Sequence, residues 1–112
     1  MLIYSTFSIS VAILSGLIMA FCIFTRKPLH LWLRLLHLSS VAIGAVLAIL
    51  VAFETWSLRL WGNIGLSVIV ALLGILLGIR KIPAQYLKTF LVLHGILAVI
   101  CYGILVFNTF AV

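Results

Sequence analysis

Residues 26–53 read RKPLHLWLRLLHLSSVAIGAVLAILVAF. Two cations and a proline stand before a long apolar run whose only charge is Arg34. From residue 29 to residue 53 the run exceeds the roughly 18 apolar residues that a membrane-crossing helix needs. Helix is the open-ended structure that satisfies its own backbone in lipid. A closed barrel would need strands of about ten residues with alternating polarity, and this stretch does not alternate. It therefore reads as a transmembrane helix with a basic, proline-marked start.

Working outward, three more such runs appear, at residues 2–24, 60–79 and 83–110. The expected fold is all-α, one integral membrane domain over residues 1–112. Composition agrees. The chain is 67% hydrophobic and 7% charged, too little polar surface to wrap a soluble core. Thr25 to Pro28 joins spans one and two, Glu54 to Arg59 joins two and three, and Arg80 to Ile82 joins three and four. Such short connections favour antiparallel neighbours, so the simplest arrangement is an up-down four-helix bundle. Pro28 and Pro83 fall where helices begin. Trp56 and Trp61 suit one membrane interface, and Trp32 and Tyr86 the other.

The formal charge of +6 flanks apolar runs and forms no exposed basic stripe, which argues against nucleic-acid binding. Arg26, Lys27 and Arg34 cluster at the first connection, and Arg80, Lys81 and Lys88 at the third. The middle one has only Arg59, with Glu54 nearby. The positive-inside rule then places the first and third loops in the cytoplasm and both termini outside. The first run lacks a basic region ahead of it, so it reads as a retained span and not a secretory signal. No lipidation motif is evident. Cys22 and Cys101 lie inside apolar runs and read as packing residues.

A weak internal repeat is visible. TRKPLHLWLRLLH and IRKIPAQYLKTFLVLH each follow an apolar span with an Arg-Lys pair, a proline and a histidine. The halves would be parallel repeats. Small residues mark the expected helix contacts: Ser8, Ala12, Gly16 and Ala20 in span one; Val41, Gly44, Ala45, Ala48 and Ala52 in span two; Ser67, Ala71, Gly74 and Gly78 in span three; Gly95, Ala98, Cys101 and Tyr102 in span four. Gly74 and Gly78 also form a GxxxG pair of the kind found at helix–dimer faces.

Chemistry is scarce. Glu54 is the only acid, which excludes carboxylate relays and carboxylate-pair hydrolysis. There is no P-loop, no GxSxG and no HExxH, so no catalytic residues and no enzymatic activity are expected. The histidines remain. His30, Arg34 and His37 share one helical face, which Val41, Gly44 and Ala48 continue. His94 lies in span four. Counted from Pro28 and Pro83, His37 and His94 sit about 13 to 17 Å along their helices.

Beside a polar ligand pocket or a partner contact, two readings of this matched depth stand open. In one, His37 and His94 are neutral side chains bonded across helices or to backbone. In the other, they are axial ligands of a b-type haem, with Arg34 and Lys88 near its propionates. Spans two and four are diagonal in the simplest bundle, which weighs against the second. Zinc needs a third or fourth ligand, for which only His30 offers itself, so no metal site is expected. Arg26, Lys27, His30, Arg34, Arg80, Lys81 and Lys88 suit the headgroup zone and contact with anionic lipids.

The stretch RKPLHLWLRLLHLSSVAIGA resembles the YisL-like small membrane proteins of Gram-positive bacteria, which have four spans and a basic first loop. Their second span opens with a His-x-x-Leu-Arg-Leu-type signature, matched here by His30 to Leu35. Trp61, Gly62, Asn63 and the Gly-rich third span fit more loosely, so the likeness covers residues 26–80. It implies no established activity. It also implies tyrosine at the position of His37 and no fixed counterpart of His94, which favours His30 and Arg34 over a haem. The sequence thus points to a non-enzymatic structural or accessory subunit of the bacterial cytoplasmic membrane, packing on itself or on a larger membrane partner. A haem protein passing electrons and an oligomeric channel or transporter are the alternatives.

Overall fold

The computed structural model describes residues 2–28, 30–79 and 83–110. Four helices carry the described chain: α1 Leu2–Phe24, α2 Leu31–Thr55, α3 Leu58–Gly78 and α4 Leu87–Phe110. Each is long and apolar enough to cross a membrane, and the long dimension of 42 Å matches a bilayer with its headgroups. The chain is a multi-pass membrane protein. Its large exposed residues, such as Phe7, Leu38, Leu72 and Ile96, are what a lipid-facing surface requires.

The helix ends follow from local chemistry. α1 closes with Arg26 in the left-handed region at φ 58°. The Lys27 amide reaches back to the Cys22 carbonyl at 2.8 Å and the Arg26 amide to Ile23 at 3.3 Å, a Schellman cap. α2 starts at Leu31 with His30 as its extended N-cap residue, so Pro28 precedes the helix and does not begin it. α2 ends at Trp56, also left-handed, whose amide bonds the Ala52 carbonyl at 2.9 Å. Ser57 then caps α3, its hydroxyl accepting from the Leu60 amide at 3.4 Å. The Glu54–Arg59 connection thus shrinks to Trp56 and Ser57, because these caps let both helices run further. Span four does not begin as α-helix at Pro83. A 3₁₀ turn at Ala84–Tyr86 comes first, closed by the Tyr86 amide on the Pro83 carbonyl at 2.9 Å; such tightening is common at uncapped helix starts.

α1 packs most extensively on α2, α3 packs on α4, α1 also meets α4, and α2 touches α3 lightly. Among the described residues the α2 and α4 backbones do not approach each other closely. The buried set is small: Ala12, Leu33, Gly44, Ala48, Ala52, Leu60, Cys101 and Leu105, with Ser5, Thr6, Ser15, Ser40 and Asn63 among them. Ala52, Leu60 and Leu105 form a core at the α2–α3 end. Phe53, Trp56 and Trp61 lie beside it, with the Phe53 and Trp61 rings edge to face at 5.0 Å.

The small-residue faces hold in part. Gly44, Ala48 and Ala52 are buried as expected, but Ala71 and Gly78 are exposed. Gly74 is filled from within the chain: a Cβ there would lie 3.0 Å from the His94 ring. Gly74 and Gly78 therefore do not present a common bare face.

Candidate functional site

His37 and His94 are seated by the same device. The His37 Nδ1 lies 2.8 Å from the Ala12 carbonyl of α1 and 3.3 Å from the Ser15 hydroxyl. The His94 Nδ1 lies 2.9 Å from the Val70 carbonyl of α3. A carbonyl only accepts, so each Nδ1 carries the proton and donates it.

Glycine makes this reach feasible. In a helix the side chain four residues on stands beside a residue's carbonyl and shields it. Four residues after Ala12 stands Gly16, and four after Val70 stands Gly74. A Cβ at Gly16 would lie 3.0 Å from the His37 Cε1, and one at Gly74 the same 3.0 Å from the His94 Cε1. Each ring fills the notch its glycine leaves and takes the carbonyl the glycine uncovers. The α1–α2 and α3–α4 pairs thus repeat one arrangement, which parallels the repeat seen in the sequence.

Hydroxyls supply the remaining cross-links. Ser5 donates to the Gly44 carbonyl at 2.7 Å and Ser8 to the Ser40 carbonyl at 2.7 Å. Thr109 gives its proton to the Leu105 carbonyl, so in the 2.6 Å pair with Thr6 it is Thr6 that donates. By the same count Ser10 gives its proton to the Thr6 carbonyl, and the Tyr102 hydroxyl donates to Ser10 at 2.6 Å. Ser67 donates to the Asn63 carbonyl at 2.8 Å and lies 3.8 Å from the Cys101 sulfur. The spacing of serines and threonines on α1 was the available signal for this ladder. Only Ser8 was read from it as a contact residue.

The other candidate residues scatter. His30 is exposed and stacks on Trp32, with centroids 6.5 Å apart. Arg34 is half-buried. Lys88 sits with its Nζ 5.8 Å from the Phe24 ring centroid, and Lys27 with its Nζ 5.2 Å from that of Phe21. Arg26 is exposed at the α1 cap. Arg80 and Lys81 lie outside the described residues. The structure brings His37 to α1 and His94 to α3, not to a shared helix, and it draws neither Arg34 nor Lys88 into hydrogen bonds with them. Gly44 is closed by Ile9 and the Ser5 carbonyl, which leaves no room for a porphyrin beside it. Among the described residues no cluster of three His, Cys, Asp or Glu side chains could hold a metal ion. Sequence reasoning passed over Asn63 and Asn108 as site residues, although an amide inside an apolar span is itself a signal.

No family model, no curated protein and no solved structure matches this chain.

Proposed function

We propose that the chain is a non-enzymatic structural or accessory subunit of a bacterial cytoplasmic membrane, allied to the YisL-like proteins. In this reading it is an up-down bundle with both termini outside and the Arg26–Lys27 and Arg80–Lys81 loops in the cytoplasm. One observation carries it. Both intramembrane imidazoles and most hydroxyls of α1 are spent joining helix to helix, which is the use polar groups have as glue in lipid. The antiparallel order is supported by the bonded pairs: Ser5, Ser8 and Ala12 climb α1 as Gly44, Ser40 and His37 descend α2. The orientation rests on the charge bias.

The test is a purification in mild detergent with haem supplied. The expected result is no Soret band and a detergent-corrected mass above that of one chain. A Soret band lost in His37→Ala and in His94→Ala would replace this reading with the haem one. A clean monomer without a partner would count against a subunit role. For orientation, Thr55→Cys in a chain with Cys22 and Cys101 replaced should react with an impermeant maleimide in intact cells, and Thr25→Cys should not. The reverse pattern would invert the topology.

A further inference from the structure

At the end of the bundle that holds the Trp56–Ser57 link, α3 and α4 part to leave a groove of about 580 Å³. Arg59, Gly62, Asn63, Ile104, Phe107 and Asn108 shape it, with Gly103 and Ile100 deeper. Glycine opens it on both sides, since a Cβ at Gly62 or Gly103 would meet nothing within 4 Å.

Its polarity is graded with depth. At about 1.5 Å per residue, Arg59 and Asn108 lie within about 3 Å of their helix ends, Asn63 about 8 Å in and Ile100 about 15 Å in. The polar groups are therefore at headgroup and glycerol depth, and the apolar wall runs down beside the acyl chains.

Two of the residues that line this groove carry an amide atom without a partner. Asn63 is only 7% exposed, and its Oδ1 is buried without a hydrogen bond. The Asn108 Nδ2 is likewise buried and unpaired. Leaving such atoms unmet costs about 1–3 kcal/mol each, which favours a ligand that meets them. One acceptor and one donor are what a hydroxyl satisfies, because it both donates and accepts. Arg59 adds a permanent positive charge suited to phosphate. Its guanidinium carbon sits 5.8 Å from the Phe107 ring centroid. Glu54, the only acid in the chain, does not line the groove.

We propose that this groove binds a phospholipid with an anionic, hydroxyl-bearing headgroup: phosphate at Arg59, hydroxyl between Asn63 and Asn108, and one acyl chain along Ile104 and Ile100. An apolar helix from a second copy would leave both amides unmet. The site is separate from the basic loops at the other end of the bundle and does not depend on the accessory role.

The experiment is native mass spectrometry of the detergent-purified full chain with phosphatidylglycerol or phosphatidylcholine added. Phosphatidylglycerol should be retained about tenfold better, the worth of one good charge-assisted bond. Arg59→Gln, on the exposed rim, and Gly103→Leu, which fills the groove without meeting a neighbour, should each lower its retention about as much. Asn63→Ala should narrow the preference for the hydroxylated headgroup. Arg26→Gln with Lys27→Gln should leave the groove-bound lipid in place. Equal retention of the two lipids, or full retention by Gly103→Leu, overturns the proposal. So does a dimer that Gly103→Leu dissociates, which would assign the groove to a second copy.

Discussion

Gly44→Leu is expected to part α1 from α2 and to be the most damaging single substitution in the chain. Gly44 is buried against α1. A Cβ there would overlap the Ile9 side chain, 2.6 Å from its Cγ1, and would press on the Ser5 carbonyl at 3.3 Å. The isoleucine tip can turn aside, but the Ser5 backbone cannot without moving α1. Overpacking of this kind costs about 1–3 kcal/mol. Separation of the helices also removes the Ser5 bond to the Gly44 carbonyl and weakens Ser8 on Ser40, each worth about 0.6–1.7 kcal/mol in a membrane. Unfolding in rising SDS, followed by tryptophan fluorescence, would read the loss. Gly78→Leu is the control: a Cβ there meets nothing, so its midpoint should stay near that of the parent. If the two variants unfold together, close α1–α2 packing is not what holds this pair.

The next largest effect is expected at the imidazole notches. Gly16→Val should push the His37 ring from the Ala12 carbonyl, because even the first added carbon would stand 3.0 Å from Cε1. The expected loss combines a cross-helix bond of about 0.6–1.7 kcal/mol with about 1–3 kcal/mol of crowding. Once His37 is alanine the crowding has no ring to act on, so Gly16→Val should then cost little. That coupling should reach about 1 kcal/mol in a double-mutant cycle. Gly74→Val with His94→Ala should behave alike, since the ring there is bonded and seated in the same way. Crossed pairs, Gly16 with His94, should simply add. Imidazole nitrogen NMR offers a second readout: the Nδ1–H form should dominate in the parent and be lost in Gly16→Val. Additive behaviour within a notch would show that the glycines admit something other than these rings.

Some of this was legible in the chain and some was not. The sequence puts His37 on one face with Gly44 and Ala48, because residues three and four apart share a helical face whatever lies opposite, and the ring turns from that face to α1. Its partner was not legible. Haem and a backbone carbonyl make similar demands on depth and face, and they differ in which neighbouring helix the ring meets. Gly74 shows the same gap. Paired with Gly78 it read as a dimer motif, yet His94 of the same chain occupies it. The 3.6-residue period places both glycines on one stripe but does not tell which member of the stripe α4 covers. Asn63 and Asn108 are forty-five positions apart by their numbering, and only the packing of α3 on α4 puts them in one groove.

By itself, the sequence determined the four apolar runs, the membrane class and the separation of the basic connections from the middle one. These are properties of one helix in lipid, dictated by transfer of its own residues and backbone. The tertiary structure decided what each polar group meets: Ala12 for His37, Val70 for His94, Gly44 for Ser5, and an open groove for Asn63 and Asn108. The reason is physical. In a bilayer, apolar surface does not discriminate between a neighbouring helix and a lipid tail. The choice of neighbour is made by close fits and single hydrogen bonds, which exist only once two helices are set side by side.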